Sequence, residues 1–232
     1  MKRIFTTLKE KWPEYLLEIL VITMGILGAF LLNSWNEARK TDNATKEALA
    51  SVLDDLRQDS IQFKSHVENS TRRALVLHRT IDNLLNDGSN DSLEYYFQRS
   101  KGYLVAVVHN SAFQALNEQG LIPNVSDESL RLALMRYFNF VQPNVIKLRD
   151  FEYLRLQSTV NSISTDAAID MKKITVDDLQ LDYSMVRKIL LQPENLRKLY
   201  VYHDTQEFLA SSSKNQVIVN QELIAQLSDY LK

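Results

Sequence analysis

The sequence contains no cysteine. Disulfides, thiol nucleophiles and Cys-ligated zinc are excluded, although this absence does not itself fix a compartment. Glycine and proline are scarce, five and four in 232 residues, and Gly25 and Gly28 both fall in one apolar run. So little turn chemistry argues against a sheet-rich fold and for long helices. There is no G-x-G-x-x-G, no phosphate-binding loop and no H-E-x-x-H. Neither sign of charge dominates: 27 Lys and Arg stand against 29 Asp and Glu, with no long basic block. Nucleic acid is therefore disfavoured as a partner. Apolar residues make up 45% of the chain, enough for a packed core and against wholesale disorder.

What the chain does have is "EILVITMGILGAFLLNSWNE", Glu18 to Glu37. From Tyr15 to Trp35 a helix rises about 30 Å, the thickness of a hydrocarbon core. Within it only Glu18 and Asn33 are strongly polar, and both lie near an end. Trp12, Tyr15 and Trp35 stand at the borders, where amphipathic rings anchor at headgroup level. "LLNSWNEARK" is bulky and polar where a cleavage site needs small residues, so the segment reads as an uncleaved signal anchor. Lys2, Arg3, Lys9 and Lys11 precede it, and Arg39, Lys40 and Lys46 come after. The bias is slight but points to a cytoplasmic N-terminus. The expected organisation is a cytoplasmic tail over 1–14, a transmembrane signal anchor over 15–35 and an extracytoplasmic domain over 36–232.

At helical spacing Glu18, Ile22, Gly25, Ala29 and Asn36 share one side of the span, flanked by Leu32 and Asn33. Gly25 and Ala29 form a small-xxx-small pair, the kind that lets a second helix approach closely in lipid. Glu18, Ile22, Gly25, Ala29 and Asn33 are the candidate contact residues. The expected partners are the bilayer and another transmembrane helix, either of a second copy or of a different protein.

The stretch "YLLEILVITMGILGAFLLNSWNEARK" resembles the N-terminal signature of an uncharacterised bacterial family of small single-span membrane proteins. Glu18 matches the Glu that opens the span, Gly25-Ile26 the internal pair, and Asn33-Ser34-Trp35-Asn36-Glu37 the closing run, with Ser34 where Asn is usual. "SAFQALNEQGLI" is similar to the family's mid-chain element through Phe113, Leu116 and Gly120. The resemblance implies membrane anchoring and a helical extracytoplasmic part; it implies no activity. The expected location is the bacterial inner membrane, single-pass, with the C-terminal domain in the periplasm.

After the span, Asn43 to Asn86 holds no Gly or Pro. Leu49, Leu53, Leu56, Ser60, Phe63, Val67, Ser70, Ala74, Leu77, Ile81 and Leu84 step by four and three, a sustained heptad seam of the coiled-coil kind. Phe63 is large for a two-stranded coil, which favours a long helix in an antiparallel bundle. Gly88 is the expected C-cap. A short helix is expected over Ser92–Ser100, and buried helix or extended packing rather than a lone strand over Tyr103–Val108. Ser111–Gln119 reads as helix, stopped by Gly120 and Pro123, and Ser126 reads as the cap of the next. That helix runs to about Ser164, kinked or restarted by Pro143. Its apolar side is Leu134, Phe138, Val141, Val145, Leu148, Phe151, Leu154 and Val160. Thr165–Asp182 reads as a connector and Tyr183–Leu191 as a short helix. Glu194–Leu231 is helical, with "SSSKN" its weakest point and Leu196, Leu199, Val217, Ile224, Leu227 and Leu231 on its buried side. The expected fold class is all-α: one transmembrane helix, then an antiparallel bundle with long helices.

No catalytic set and no cofactor motif stands out. His66, His78, His109 and His203 never pair with one another at i, i+3 or i+4, so no metal ligand set is expected. Asp54-Asp55 and Asp177-Asp178 read as solvated faces. Ser211 and Lys214 have the spacing of a serine acyl-enzyme motif, but its partner motifs are missing. Tyr95, Tyr96 and Phe97 place rings on several sides of a helix. The expected function is non-enzymatic: a membrane-anchored scaffold or accessory subunit of a membrane complex. The alternatives are an extracytoplasmic ligand-binding sensor that signals through a partner, and a subunit of an ion-driven complex with Glu18 as its carboxylate.

Overall fold

The computed structural model describes residues 2–166 and 183–232. All regular secondary structure among them is helical. The first helix, α1, runs unbroken from Lys2 to Leu85, 84 residues and about 125 Å. It joins the apolar span and the heptad seam into one rod. Alanine, lysine and glutamate, all strong helix formers, dominate residues 37–48. Lys46 Nζ reaches Asp42 at 2.9 Å and Lys40 Nζ reaches Glu37 at 3.5 Å, pairs that support an exposed helix. The span is long and apolar enough to cross a membrane, and its apolar window is wholly exposed. From Tyr15 onward, Thr45 is the first deeply buried residue of α1. Between Trp35 and Thr45 lies a helical stalk about 15 Å long.

Beyond Thr45 every residue of the expected seam is buried except Val67, which is half-buried. α1 ends in a turn where Asp87, not Gly88, takes the left-handed conformation, with φ 49°. Gly88 leaves room for a side chain: a Cβ there would lie 2.2 Å from Asn83 Nδ2 and push that amide aside. The next helix, α2 (Asn90–Ser100), is capped by Ser89, whose Oγ accepts from the Ser92 N–H at 3.2 Å. Residues 103–108 form no helix, with Leu104, Ala106 and Val108 half-buried and Tyr103, Val105 and Val107 exposed. That alternation is the extended alternative, and no strand pairs with it among the described residues.

α3 (Ser111–Glu118) ends at Gly120, which has φ 65° and lets the Leu121 N–H return to Leu116 O at 3.1 Å. Asp127, not Ser126, caps α4 (Glu128–Arg136), its carboxylate accepting from the Leu130 N–H at 3.1 Å. Ser126 instead approaches the Tyr230 hydroxyl, 3.2 Å from its Oγ. Tyr137–Val141 is a π-helical segment leading into α5 (Gln142–Asp166). Pro143 has no N–H to give the carbonyl one turn back, and the backbone absorbs this by widening rather than by stopping. The π turn adds a residue and rotates the rest of the helix by about 100°. The buried line therefore becomes Gln142, Val145, Arg149, Glu152, Leu156 and Thr159. Of the expected apolar side, Leu134, Phe138 and Val145 are buried, Val141, Leu148 and Phe151 only half-buried, and Leu154 exposed. The Val160 side chain lies outside the described residues.

The connector and Asp177-Asp178 lie outside the described residues too, apart from the last turn of α5. α6 (Tyr183–Leu190) is followed by α7 (Pro193–Tyr230), 38 residues with no break at "SSSKN". Its buried line runs Asn195, Leu199, Tyr202, Gln206, Leu209, Ser213, Gln216, Asn220, Leu223 and Leu227. This is a second unbroken four-three seam, and half of it is polar. Of the residues expected on this side, Leu199 and Leu227 are fully buried and Leu196, Val217, Ile224 and Leu231 half-buried.

Helices α1 and α7 pack together along most of the seam, with α5 against α7 and α2 and α3 against α1. The core divides into two apolar clusters. One gathers Leu49 to Phe63 of α1 with Phe113, Leu130, Tyr137 and Leu227. The other gathers Leu77 to Leu84 with Leu93, Tyr183, Leu199 and Tyr202.

Candidate functional site

Between the two apolar clusters α1 contributes His66, Ser70 and Arg73, all buried. Ser70 is small, and the space it leaves in the seam admits a guanidinium. Arg149 of α5 enters there, donating to Ser213 Oγ at 2.7 Å, to Glu152 Oε2 at 2.9 Å and more weakly to Ser70 Oγ at 3.4 Å. Arg73 donates to Glu152 Oε1, and Gln206 Nε2 donates to the same oxygen at 3.2 Å. Glu152 is 0% exposed and Arg149 2%. Burial pulls the Arg149 guanidinium below its ordinary value, and the Glu152 carboxylate opposes that pull. One carboxylate thus sits with two guanidinia in a desolvated layer. Arg149 Nε and Gln206 Oε1 have no partner among the described residues.

His66 lies beside this layer, 1% exposed. Burial, then the Arg149 charge, hold its imidazole down at about 4, against a backbone hydrogen bond with Val105. It is neutral at pH 7.

A second polar node lies nearer the stalk. Asp59 is 0% exposed. Its Oδ1 accepts from the His109 backbone N–H at 2.9 Å and sits 3.1 Å from His109 Nδ1. Its Oδ2 accepts from the Tyr137 hydroxyl at 2.9 Å and from Gln142 Nε2 at 2.8 Å. Asn220 donates to both the Tyr137 oxygen and Leu56 O, at 3.0 Å each. Burial, then Asp59, push the Tyr137 phenol up, so it remains a donor. The neighbouring Asp55 is not merely solvated: its Oδ2 accepts from the Ala112 N–H at 3.1 Å and caps α3. Asp54 pairs with Arg57 on the surface at 2.9 Å. Asp59 and Glu152 are each surrounded by donors, and each carboxylate holds its neighbours in place.

On the outer side of α1 and α7 lies a groove of about 680 Å³. His78 and His203 face each other across it, ring centroids 5.9 Å apart. His203 Nδ1 is 3.1 Å from Asp204 Oδ1, and its Nε2 is 3.9 Å from Glu207 Oε1. Ser211 and Lys214 line the same groove. A further groove between α5 and α7, about 400 Å³, is walled by Val141, Leu148 and Val219 and edged by Lys147, Asn215 and Gln216.

The sequence-derived contact residues Glu18, Ile22, Gly25, Ala29 and Asn33 are all exposed on α1. A Cβ at Gly25 or Gly28 would meet nothing within 4 Å. Trp12, Tyr15 and Trp35 are exposed too, with the Arg39 guanidinium 6.0 Å from the Trp35 ring. No family model, curated protein or solved structure matches the chain.

Sequence reasoning misses Arg73, Arg149 and Glu152 because charged residues on helices read as solvated. It misses the His203 cluster because the histidines do not pair with one another at helical spacing. The available signal is a mixed pair, His203 and Glu207, four apart on one helix face.

Proposed function

We propose that the protein is a membrane-anchored helical scaffold or accessory subunit of a membrane complex, without catalysis. In this reading residues 1–14 are cytoplasmic and 15–35 cross the bacterial inner membrane as a signal anchor. Residues 36–232 form an antiparallel bundle in the periplasm. Partner positions rise along α1 as they fall along α7, from Leu56 with Asn220 to His78 with His203, which supports the antiparallel arrangement. The resemblance of the span signature to a bacterial single-span family supports the location.

The observation that carries the reading is the continuity of α1. One helix supplies both an exposed apolar span and the central seam of the folded part. The span offers Glu18, Ile22, Gly25, Ala29 and Asn33 to another transmembrane helix, and a rigid stalk holds the bundle in a fixed relation to that contact. A reporter active only outside the cytoplasm, fused after Lys232, is expected to be active. Purification from detergent is expected to bring down a stoichiometric partner or a second copy. Activity of a cytoplasm-only reporter at Lys232 instead would refute the topology and the extracytoplasmic role together.

A second reading, a ligand-binding sensor that signals through a partner, rests on the α5–α7 groove and its apolar walls. Co-purification of a small molecule with a partner-free protein would favour it.

A further inference from the structure

The geometry points to a divalent transition-metal site of the zinc class, bridging α1 and α7 through His78, His203 and Glu207, with Asp204 orienting His203. Four observations converge. His203 and Glu207 are four apart on α7, so both side chains project from one helix face over one turn. Asp204 holds His203 Nδ1 at 3.1 Å, which fixes the tautomer that leaves Nε2 with a free lone pair. That Nε2 is directed toward Glu207 Oε1 at 3.9 Å. Two ligands on one tetrahedral zinc stand roughly 3.3 Å apart, given bonds of about 2.0–2.1 Å. A small rotation of the exposed Glu207 side chain closes the difference. His78 comes from the other helix, its ring centroid 5.9 Å from that of His203; the donor atoms already within 4.8 Å of one another are those of His203, Asp204 and Glu207, and His78 joins them by turning its exposed side chain. Two imidazoles sharing one zinc through nitrogen place their centroids roughly 5–6 Å apart, by the same bond length.

The donor set, two imidazoles and one carboxylate with an open fourth position, matches zinc-class ions rather than calcium or magnesium, which need more oxygen ligands. The groove is open to solvent, so the ion has an entry path and water can fill the fourth position. Lys214, two turns along the same helix face, lines the groove as well and limits the negative charge there. The site is independent of the scaffold reading. It joins the helix that carries the span to the last helix of the chain.

The test uses full-length protein in detergent, carried on a tag without histidine, stripped with chelator and titrated with Zn²⁺ by calorimetry. One equivalent is expected to bind. His203→Ala and His78→Ala should each weaken binding at least about tenfold, and Asp204→Asn should weaken it about tenfold through lost orientation. Zn²⁺ should also raise the unfolding temperature of the wild type, and at the same concentration raise that of His78→Ala less, because stabilisation follows occupancy of the folded state. His78 and Asp204 are exposed, so the metal-free His78→Ala and Asp204→Asn variants should unfold at the wild-type temperature; the His203 side chain is only 16% exposed, so His203→Ala is read by affinity alone. Failure of the wild type to bind a stoichiometric equivalent would overturn the proposal. So would unchanged affinity in His78→Ala, or Ca²⁺ or Mg²⁺ competing equally with Zn²⁺, which would mark an acidic surface only.

Discussion

Arg73 and Glu152 are 79 residues apart in sequence and ion-paired in the core. Arg149 binds the other oxygen of the same carboxylate. The layer they form separates two apolar clusters and ties α1 to α5. Buried ionic layers contribute less net stability than apolar packing of the same volume, but they leave a large penalty when one partner is removed.

Glu152→Ala strands two guanidinia in a desolvated layer. The expected loss is about 3–5 kcal/mol, read as a lower denaturation midpoint in urea. Replacing the triad together, Arg73→Met with Arg149→Met and Glu152→Leu, should cost far less than the single change. A single variant within about 1 kcal/mol of wild type would show that the layer is hydrated rather than buried.

His66 gives the fold a defined response to acid. Its folded value, about 4, lies below the ordinary 6.5. The unfolded chain therefore takes up its proton first as the pH falls. Stability held above pH 6.5 is lost progressively as the pH drops towards 4, by on the order of 3 kcal/mol. His66→Gln cannot titrate, so the difference between wild-type and variant stability should change across that window. Parallel pH profiles from about 7 to 4 would be inconsistent with a buried neutral imidazole.

Asp59 accepts from the backbone N–H of His109, from Tyr137 and from Gln142, and it lies against the His109 ring. Asp59→Asn turns one acceptor oxygen into a donor that faces donors. A loss of about 1–3 kcal/mol is expected, with faster hydrogen exchange in the extended segment around His109. Tyr137→Phe should cost less, about 1 kcal/mol, because the carboxylate keeps its other donors.

Arg187 clamps the turn after α1. It donates to Asn83 O at 3.1 Å, Asn83 Oδ1 at 2.8 Å and Asn90 Oδ1 at 3.0 Å, and also to Gly88 O. Gly88→Ala drives a methyl into Asn83, and Arg187→Ala removes the clamp. Both should make the turn over 86–89 a preferred site of limited proteolysis. Equal digestion rates in wild type and both variants would argue that other contacts hold this turn.

In the span, Gly25→Leu should reduce association in detergent while leaving insertion intact, since leucine is more apolar than glycine. Cross-linking yields equal to wild type would show that Gly25 and Ala29 make no helix contact and are simply small residues common in spans.

Much of this fold is legible from spacing alone. The α1 seam can be read residue by residue because nearly all of it is apolar and nothing interrupts its period. The α7 seam has the same period but is hidden in the sequence, because Asn195, Gln206, Ser213, Gln216 and Asn220 occupy it. A polar residue signals burial only when its partner is known, and these partners lie largely on other helices. The α5 stripe differs from its sequence pattern for a geometric reason. The π turn before Pro143 shifts the helix by one residue, and the core side passes from Leu148 and Phe151 to Arg149 and Glu152. The side-by-side placement of His78 and His203 is purely tertiary, and no local pattern encodes it. The apolar run itself is legible, because its length and composition need no tertiary context.

The unbroken stalk between Trp35 and Thr45 works as an angular setting as well as a spacer. Each residue of a helix turns the chain beyond it by about 100° and raises it by about 1.5 Å. Adding or deleting one residue there would swing the folded part about the α1 axis relative to the apolar span while hardly altering its distance from it. The side of the folded part that lies above the Gly25 face of the span is thus encoded by a count of residues, and that count is a quantity an insertion series can dial.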